Sequence, residues 1–133
     1  MEVFYSKNRV KPVVLKEGSY KKYAYKILCN GRNPTAYVRL LKSHNLNKYS
    51  VGTLSTMFDR YDIALNVHGG VTAVFEKDGT IWVGWDYAHA PHDFVGEMVG
   101  TSAERNPNFK RWSVSEIMYD VYSAVNGLIS LNT

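Results

Sequence analysis

The sequence predicts an α+β domain: a mostly antiparallel sheet of about four to six strands with one C-terminal amphipathic helix packed on a face. Three observations carry this prediction. The early part of the chain leans toward β structure, rich in tyrosine and in the aromatic and β-branched residues that suit pleated half-buried strands. An Asp78-Gly79 dipeptide separates two β-rich runs, a strong hairpin signal because glycine takes the left-handed position easily. The last twenty or so residues carry an apolar stripe at helical spacing behind a capping-box pattern.

Along the chain, Tyr20 to Cys29 alternates imperfectly, with Tyr23, Tyr25 and Ile27 on one side and Lys22, Ala24, Lys26 and Leu28 on the other. Asn30-Gly31 and Asn33-Pro34 are turn signals, and Thr35 to Leu41 reads as the returning strand. Ser43-His44-Asn45 reads as loop, with His44 an isolated loop or surface residue. Leu54, Met57, Phe58 and Tyr61 fit a short helix or turn. Ile63 to Val67 reads as a short strand broken by His68-Gly69-Gly70. Val71 to Glu76 and Ile81 to Asp86 are the arms of the Asp78-Gly79 hairpin. In the second arm Ile81, Val83 and Trp85 share one face and Trp82 and Gly84 the other, so Gly84 marks a close approach of backbone or ring. Residues 87–112 read as an extended surface segment of the kind that is often functional. Ser113-Val114-Ser115-Glu116 then caps a helix whose stripe is Val114, Ile117, Met118, Val121, Val125, Leu128 and Ile129. That stripe is core, and Gly127 within it is a blemish worth about 1 kcal/mol against alanine.

The 133 residues make one domain, 1–133, and the 45% hydrophobic and 21% charged composition excludes general disorder. No stretch reaches the roughly 18 apolar residues of a membrane span, and Met1 to Val10 lacks a signal-peptide core. One cysteine, Cys29, excludes an intramolecular disulfide and a cysteine-based zinc site, and it reads as a small buried hydrophobe in a reducing cytoplasm, a bacterial host's included. The net charge of +4 divides unevenly: residues 1–60 hold 12 basic against three acidic residues, and residues 61–133 four against nine. A surface carrying Lys21, Lys22, Lys26, Arg32 and Arg39 is therefore a candidate to meet nucleic acid or an acidic partner. The same lysines also fit plain solvation of exposed strand faces.

The one cluster of titratable ligands is His68, Asp86, His89 and Asp93, with His92 beside them. If the strands carrying His68 and Asp86 are neighbours, these groups converge at one sheet edge. Three chemistries fit. Imidazoles and carboxylates suit a divalent metal, with His68, Asp86 and His89 as ligands. An aspartate orienting a histidine suits proton transfer. The amides of Gly69 and Gly70 with the imidazoles suit an anionic ligand such as a nucleotide phosphate. Hydrogen bonding of Asp86 and His89 to loop backbone is the structural counter-reading. The spacing matches no H-E-x-x-H pattern, and no G-x-S-x-G, P-loop or G-x-G-x-x-G occurs. Trp82 and Trp85 suit base stacking or, more commonly for a central strand, the core.

Val67-His68-Gly69-Gly70-Val71-Thr72, followed by Ile81-Trp82-Val83-Gly84-Trp85-Asp86-Tyr87-Ala88-His89 and then Asp93, resembles a family of small uncharacterised proteins encoded by tailed phages and prophages. That family's pattern is V-H-G-G-aliphatic-T, then aromatic-x-G-aromatic-D-x-A-H, then a nearby aspartate. Ala36-Tyr37-Val38 and His44 resemble its upstream strand and histidine, so the likeness spans residues 36–93. The segment between His89 and Asp93 is one residue longer than in that pattern. The resemblance implies a phage origin, a closing amphipathic helix and a site at His68, Asp86, His89 and Asp93, but no reaction.

Two functions follow as expectations. The first is a phage accessory protein in the host cytoplasm, acting by binding and inhibiting a host defence system, CRISPR effectors and nucleotide signalling among the targets. Its partner would be a host protein, a ribonucleoprotein, nucleic acid or a nucleotide, and no membrane. A DNA mimic is disfavoured, because such mimics are strongly acidic. The alternative is a metal-dependent hydrolase or phosphoesterase using His68, Asp86, His89 and Asp93, with a divalent metal as cofactor.

Overall fold

The computed structural model describes residues 12–29, 33–88, 93–94 and 110–132. Its centre is a five-stranded antiparallel sheet in the order β1-β2-β3-β5-β4, made of β1 (Val13–Tyr20), β2 (Tyr23–Cys29), β3 (Pro34–Arg39), β4 (Ala73–Lys77) and β5 (Thr80–Asp86). Between β3 and β4 come a short 3₁₀ helix (Asn45–Lys48) and α1 (Val51–Asp59). The predicted α+β class, sheet and C-terminal helix are what the structure shows. The terminal helix α2 (Val114–Leu131) lies against β1, β2 and β3.

Alternation builds the core. Ile27, Ala36, Val38, Val83 and Trp85 point to the helix side and are almost fully buried against Ile117, Val121, Val125 and Leu128 of α2. The opposite face carries a smaller cluster of Leu28, Tyr37 and Trp82, with Ala24 and Phe75 packed on it. The expected split of β2 and β5 residues between faces is therefore the observed one. Lys77 pairs with Thr80 across the Asp78-Gly79 turn, where both turn residues take positive φ (52° and 77°).

Helix α2 carries the full capping box: the Glu116 amide donates to Ser113 Oγ (3.2 Å), and the Ser113 amide donates to Glu116 Oε1 (3.1 Å). Gly127 is no blemish, because a Cβ there would stand 2.8 Å from Leu65 Cδ2. The bare backbone lets the helix close on the 63–67 segment.

Four expectations are corrected. Strand β1 was not foreseen; it is an edge strand exposed along most of its length. Residues 63–67 form no strand. Leu65 and Val67 are buried there and Ala64 and Asn66 exposed, so the alternation reports burial without a ladder partner. His44 is buried rather than an isolated surface residue. Its Nδ1 accepts from the Leu46 amide (3.0 Å) and its Nε2 donates to the Leu128 carbonyl (2.7 Å), one of the last helix carbonyls left without an in-helix donor. The 87–112 segment lies mostly outside the described residues, but it contributes β6 (Asp93–Phe94) and β7 (Lys110–Arg111), which pair in parallel.

Candidate functional site

The turn after Val67 places His68 on the helix side of the sheet. Gly69 and Gly70 both have positive φ (70° and 77°), which explains two consecutive glycines here. The His68 amide donates to Asp120 Oδ2 of α2 (3.3 Å), and its imidazole stacks on Tyr87, with centroids 5.1 Å apart and planes 2° from parallel. Trp112 closes the group, 4.7 Å from His68 and 4.9 Å from Tyr87. The Tyr87 hydroxyl accepts from Trp85 Nε1 (2.9 Å) and donates to Asp120 Oδ2 (2.5 Å). Trp85 and Tyr87 are fully buried, so this chain of hydrogen bonds satisfies an indole N–H and a phenol that would otherwise be costly to bury. Chemically, the cluster clamps the end of β5 and the His68 turn to the first turns of α2.

Asp86 does not join it. It pairs in register with Thr35 and lies on the same side of β5 as Trp82 and Gly84, away from Trp85. Its Oδ2 accepts from Thr72 Oγ1 (3.0 Å) and its Oδ1 from the Ala88 amide (3.2 Å), so part of its role is to pin local backbone. It also acts on the far-face cluster. Burial pushes the Tyr37 phenol above its ordinary value, a hydrogen bond with Thr35 opposes this, and the Asp86 charge adds to the rise. Burial likewise raises the Tyr23 phenol.

The sequence-derived set therefore divides. His68 and Asp86 sit on opposite faces of the sheet, which corrects the expectation that neighbouring strand ends would bring them together. His89, and the side chain of Asp93, lie outside the described residues. Among the described residues no three His, Cys, Asp or Glu side chains form a metal-binding group. The Gly70 amide donates to the Val67 carbonyl (2.9 Å), so one of the two amides of a Gly-Gly anion cradle is already engaged. Tyr87, Trp112 and Asp120 were missed. The signal for Asp120 was present: it is a carboxylate set between Ile117 and Val121, on the edge of the apolar stripe.

The basic candidates divide as well. Lys21 Nζ donates to Asn126 Oδ1 of α2 (2.8 Å), which ties it to the helix side, and Lys22 is an exposed turn residue. Arg32 lies outside the described residues. Lys26 and Arg39 do converge. On the face opposite α2, which no helix among the described residues covers, they line a hollow of about 220 Å³ together with Lys77, Asp78, Thr80 and Trp82. The Arg39 guanidinium stands 5.9 Å from the centre of the Trp82 ring. Lys77 was not among the foreseen cations, although it shares the parity of Phe75, whose partner is Trp82.

The fold and these two clusters define a small α+β domain with one face covered by α2 and, among the described residues, a cationic face opposite it. No family model, curated protein or solved structure matches the chain. Among the described residues no helix is long and apolar enough to cross a membrane.

Proposed function

We propose that this chain is a small phage accessory protein that acts by binding, and that its target belongs to a host defence system. The resemblance of residues 36–93 to phage and prophage proteins supports the setting. The observation that carries the binding role is the convergence of Lys26, Arg39 and Lys77, from three different strands, on the face that no helix among the described residues covers. A hollow lined by three cations and a single acid among the described residues suits a partner of opposite charge. The metal-dependent hydrolase reading would bring His68 and Asp86 to one centre, and it has less support, because Asp86 lies on the Trp82 side of β5 whereas His68 stacks on Tyr87.

The test is expression in hosts carrying single, defined defence systems, with the plating efficiency of a sensitive phage as readout. Protection is expected against one system, and it should survive alanine at His68 together with asparagine at Asp86. No protection against any system, with metal-stimulated turnover of a phosphoester by the purified protein, would overturn the proposal in favour of the hydrolase.

A further inference from the structure

The hollow on the face opposite α2 has a definite chemistry. Lys26 of β2, Arg39 of β3 and Lys77 of β4 bring three cations to its lining, and among the described residues Asp78 at the hairpin tip is the only acid there. Glu17 of β1 is paired in register with Lys26 and is the nearest counter-charge from the neighbouring strand. The Thr80 hydroxyl is engaged with the Lys77 carbonyl (2.8 Å). The floor is Trp82, 7% exposed, with the Arg39 guanidinium over its ring. That contact holds a long, flexible side chain in place and lowers the entropy lost when it takes up an anion.

Size and burial narrow the ligand. At about 220 Å³ the hollow is smaller than the roughly 300–1,000 Å³ of sites that enclose a whole small molecule. It suits one charged group of something larger. Trp82 is too buried to stack a base, so the site reads charge and not sequence. The net charge of +4 adds a long-range attraction for an extended polyanion. We propose that Lys26, Arg39 and Lys77 form a phosphate site for the backbone of a nucleic acid. This rests on the binding role proposed above and names its ligand chemistry.

The probe is a fluorescently labelled oligodeoxythymidylate, its affinity followed by polarisation over a KCl series. Each phosphate contact on a single strand contributes about 0.7 to the slope of log K against log salt, so the Lys26→Gln/Arg39→Gln/Lys77→Gln variant should flatten that slope by about 2. Lys22→Gln, off the hollow, should leave it within about 0.7 of the wild type. Oligodeoxyadenylate should bind as well as oligodeoxythymidylate. Circular dichroism and the melting temperature show whether the triple variant is folded, and Lys26→Gln and Lys77→Gln singly replace it if it is not. Any of three results would overturn the site: no oligonucleotide binding at the lowest salt, an unchanged slope in the folded variant, or binding of heparin without binding of the oligonucleotide. The plating assay reads the binding role separately. Protection by a wild-type protein with no oligonucleotide affinity sinks the phosphate site and leaves the binding role standing.

Discussion

Gly84 sits in the central strand β5 with its φ outside the left-handed region, so conformation does not require a glycine there; space does. A Cβ at this position would stand 2.4 Å and 2.7 Å from Cδ1 and Cε1 of Tyr37 and 3.0 Å from the Ala36 carbonyl oxygen. Carbon atoms in contact prefer about 3.5–4.0 Å, so the added methyl overlaps the ring by about 1 Å. The ring cannot swing away freely. It is 8% exposed, packs edge-on against Phe75 at 5.6 Å, and shares a cluster with Leu28 and Trp82. Overpacking of this kind costs about 1–3 kcal/mol, and replacing a strand glycine returns about 0.5–1 kcal/mol of backbone entropy. Gly84→Ala should therefore destabilise the domain by about 1–2 kcal/mol in urea unfolding. In a Tyr37→Ala background the ring is gone and only the 3.0 Å approach to the Ala36 carbonyl oxygen remains, so the same substitution should cost less by at least about 1 kcal/mol. Equal costs in the two backgrounds would refute the steric account.

Tyr87→Phe should cost about 2–3 kcal/mol, because it strands the buried Trp85 N–H and removes a charge-assisted bond to Asp120; a melting temperature equal to the wild type's would show that the network carries no stability. Val121→Asp puts an unpaired charge at a fully buried point of α2 and should cost several kcal/mol, enough to abolish a cooperative thermal transition. Raised folded-state values for the Tyr37 and Tyr23 phenols mean that the native state holds these protons more tightly than the unfolded chain. Their contribution is complete below about pH 10 and is lost as pH rises above it, and Tyr37→Phe should make urea stability fall less steeply there.

How much was legible in the sequence depended on whether a local period met a partner. Strands β2 and β3 and helix α2 were legible because one face of each packs in the main core, which writes period 2 or 3.6 into the residues, whereas β5, buried on both faces, was legible from the Asp78-Gly79 turn before it. Strand β1 was not, since an exposed edge strand needs no apolar face. The 63–67 run shows the converse: Ile63, Leu65 and Val67 alternate because they line the core, yet no neighbour supplies a ladder. Parity was also the missed clue at the site. The alternation that set Trp82 and Gly84 on one face sets Asp86 there too, away from Trp85 and Tyr87, and so away from His68. The burial of His44 had no local signal, because its partner at Leu128 lies at the far end of the chain.

The strand order has a kinetic consequence. Strands β1, β2 and β3 form an up-and-down meander closed by short connections, whereas the β3–β5 pairing at the centre of the sheet must close a loop of residues 40–79. Closing roughly 40 residues costs about 3 kcal/mol of chain entropy before any contact across that seam repays it. The meander should therefore be formed in the folding transition state and the seam sealed with or after it. In a chevron analysis Ile27→Val, within the meander, should mainly slow folding, and Val83→Ala, across the seam, should mainly speed unfolding. The reverse pattern would mean that the 40–79 excursion organises first and the meander adds to it.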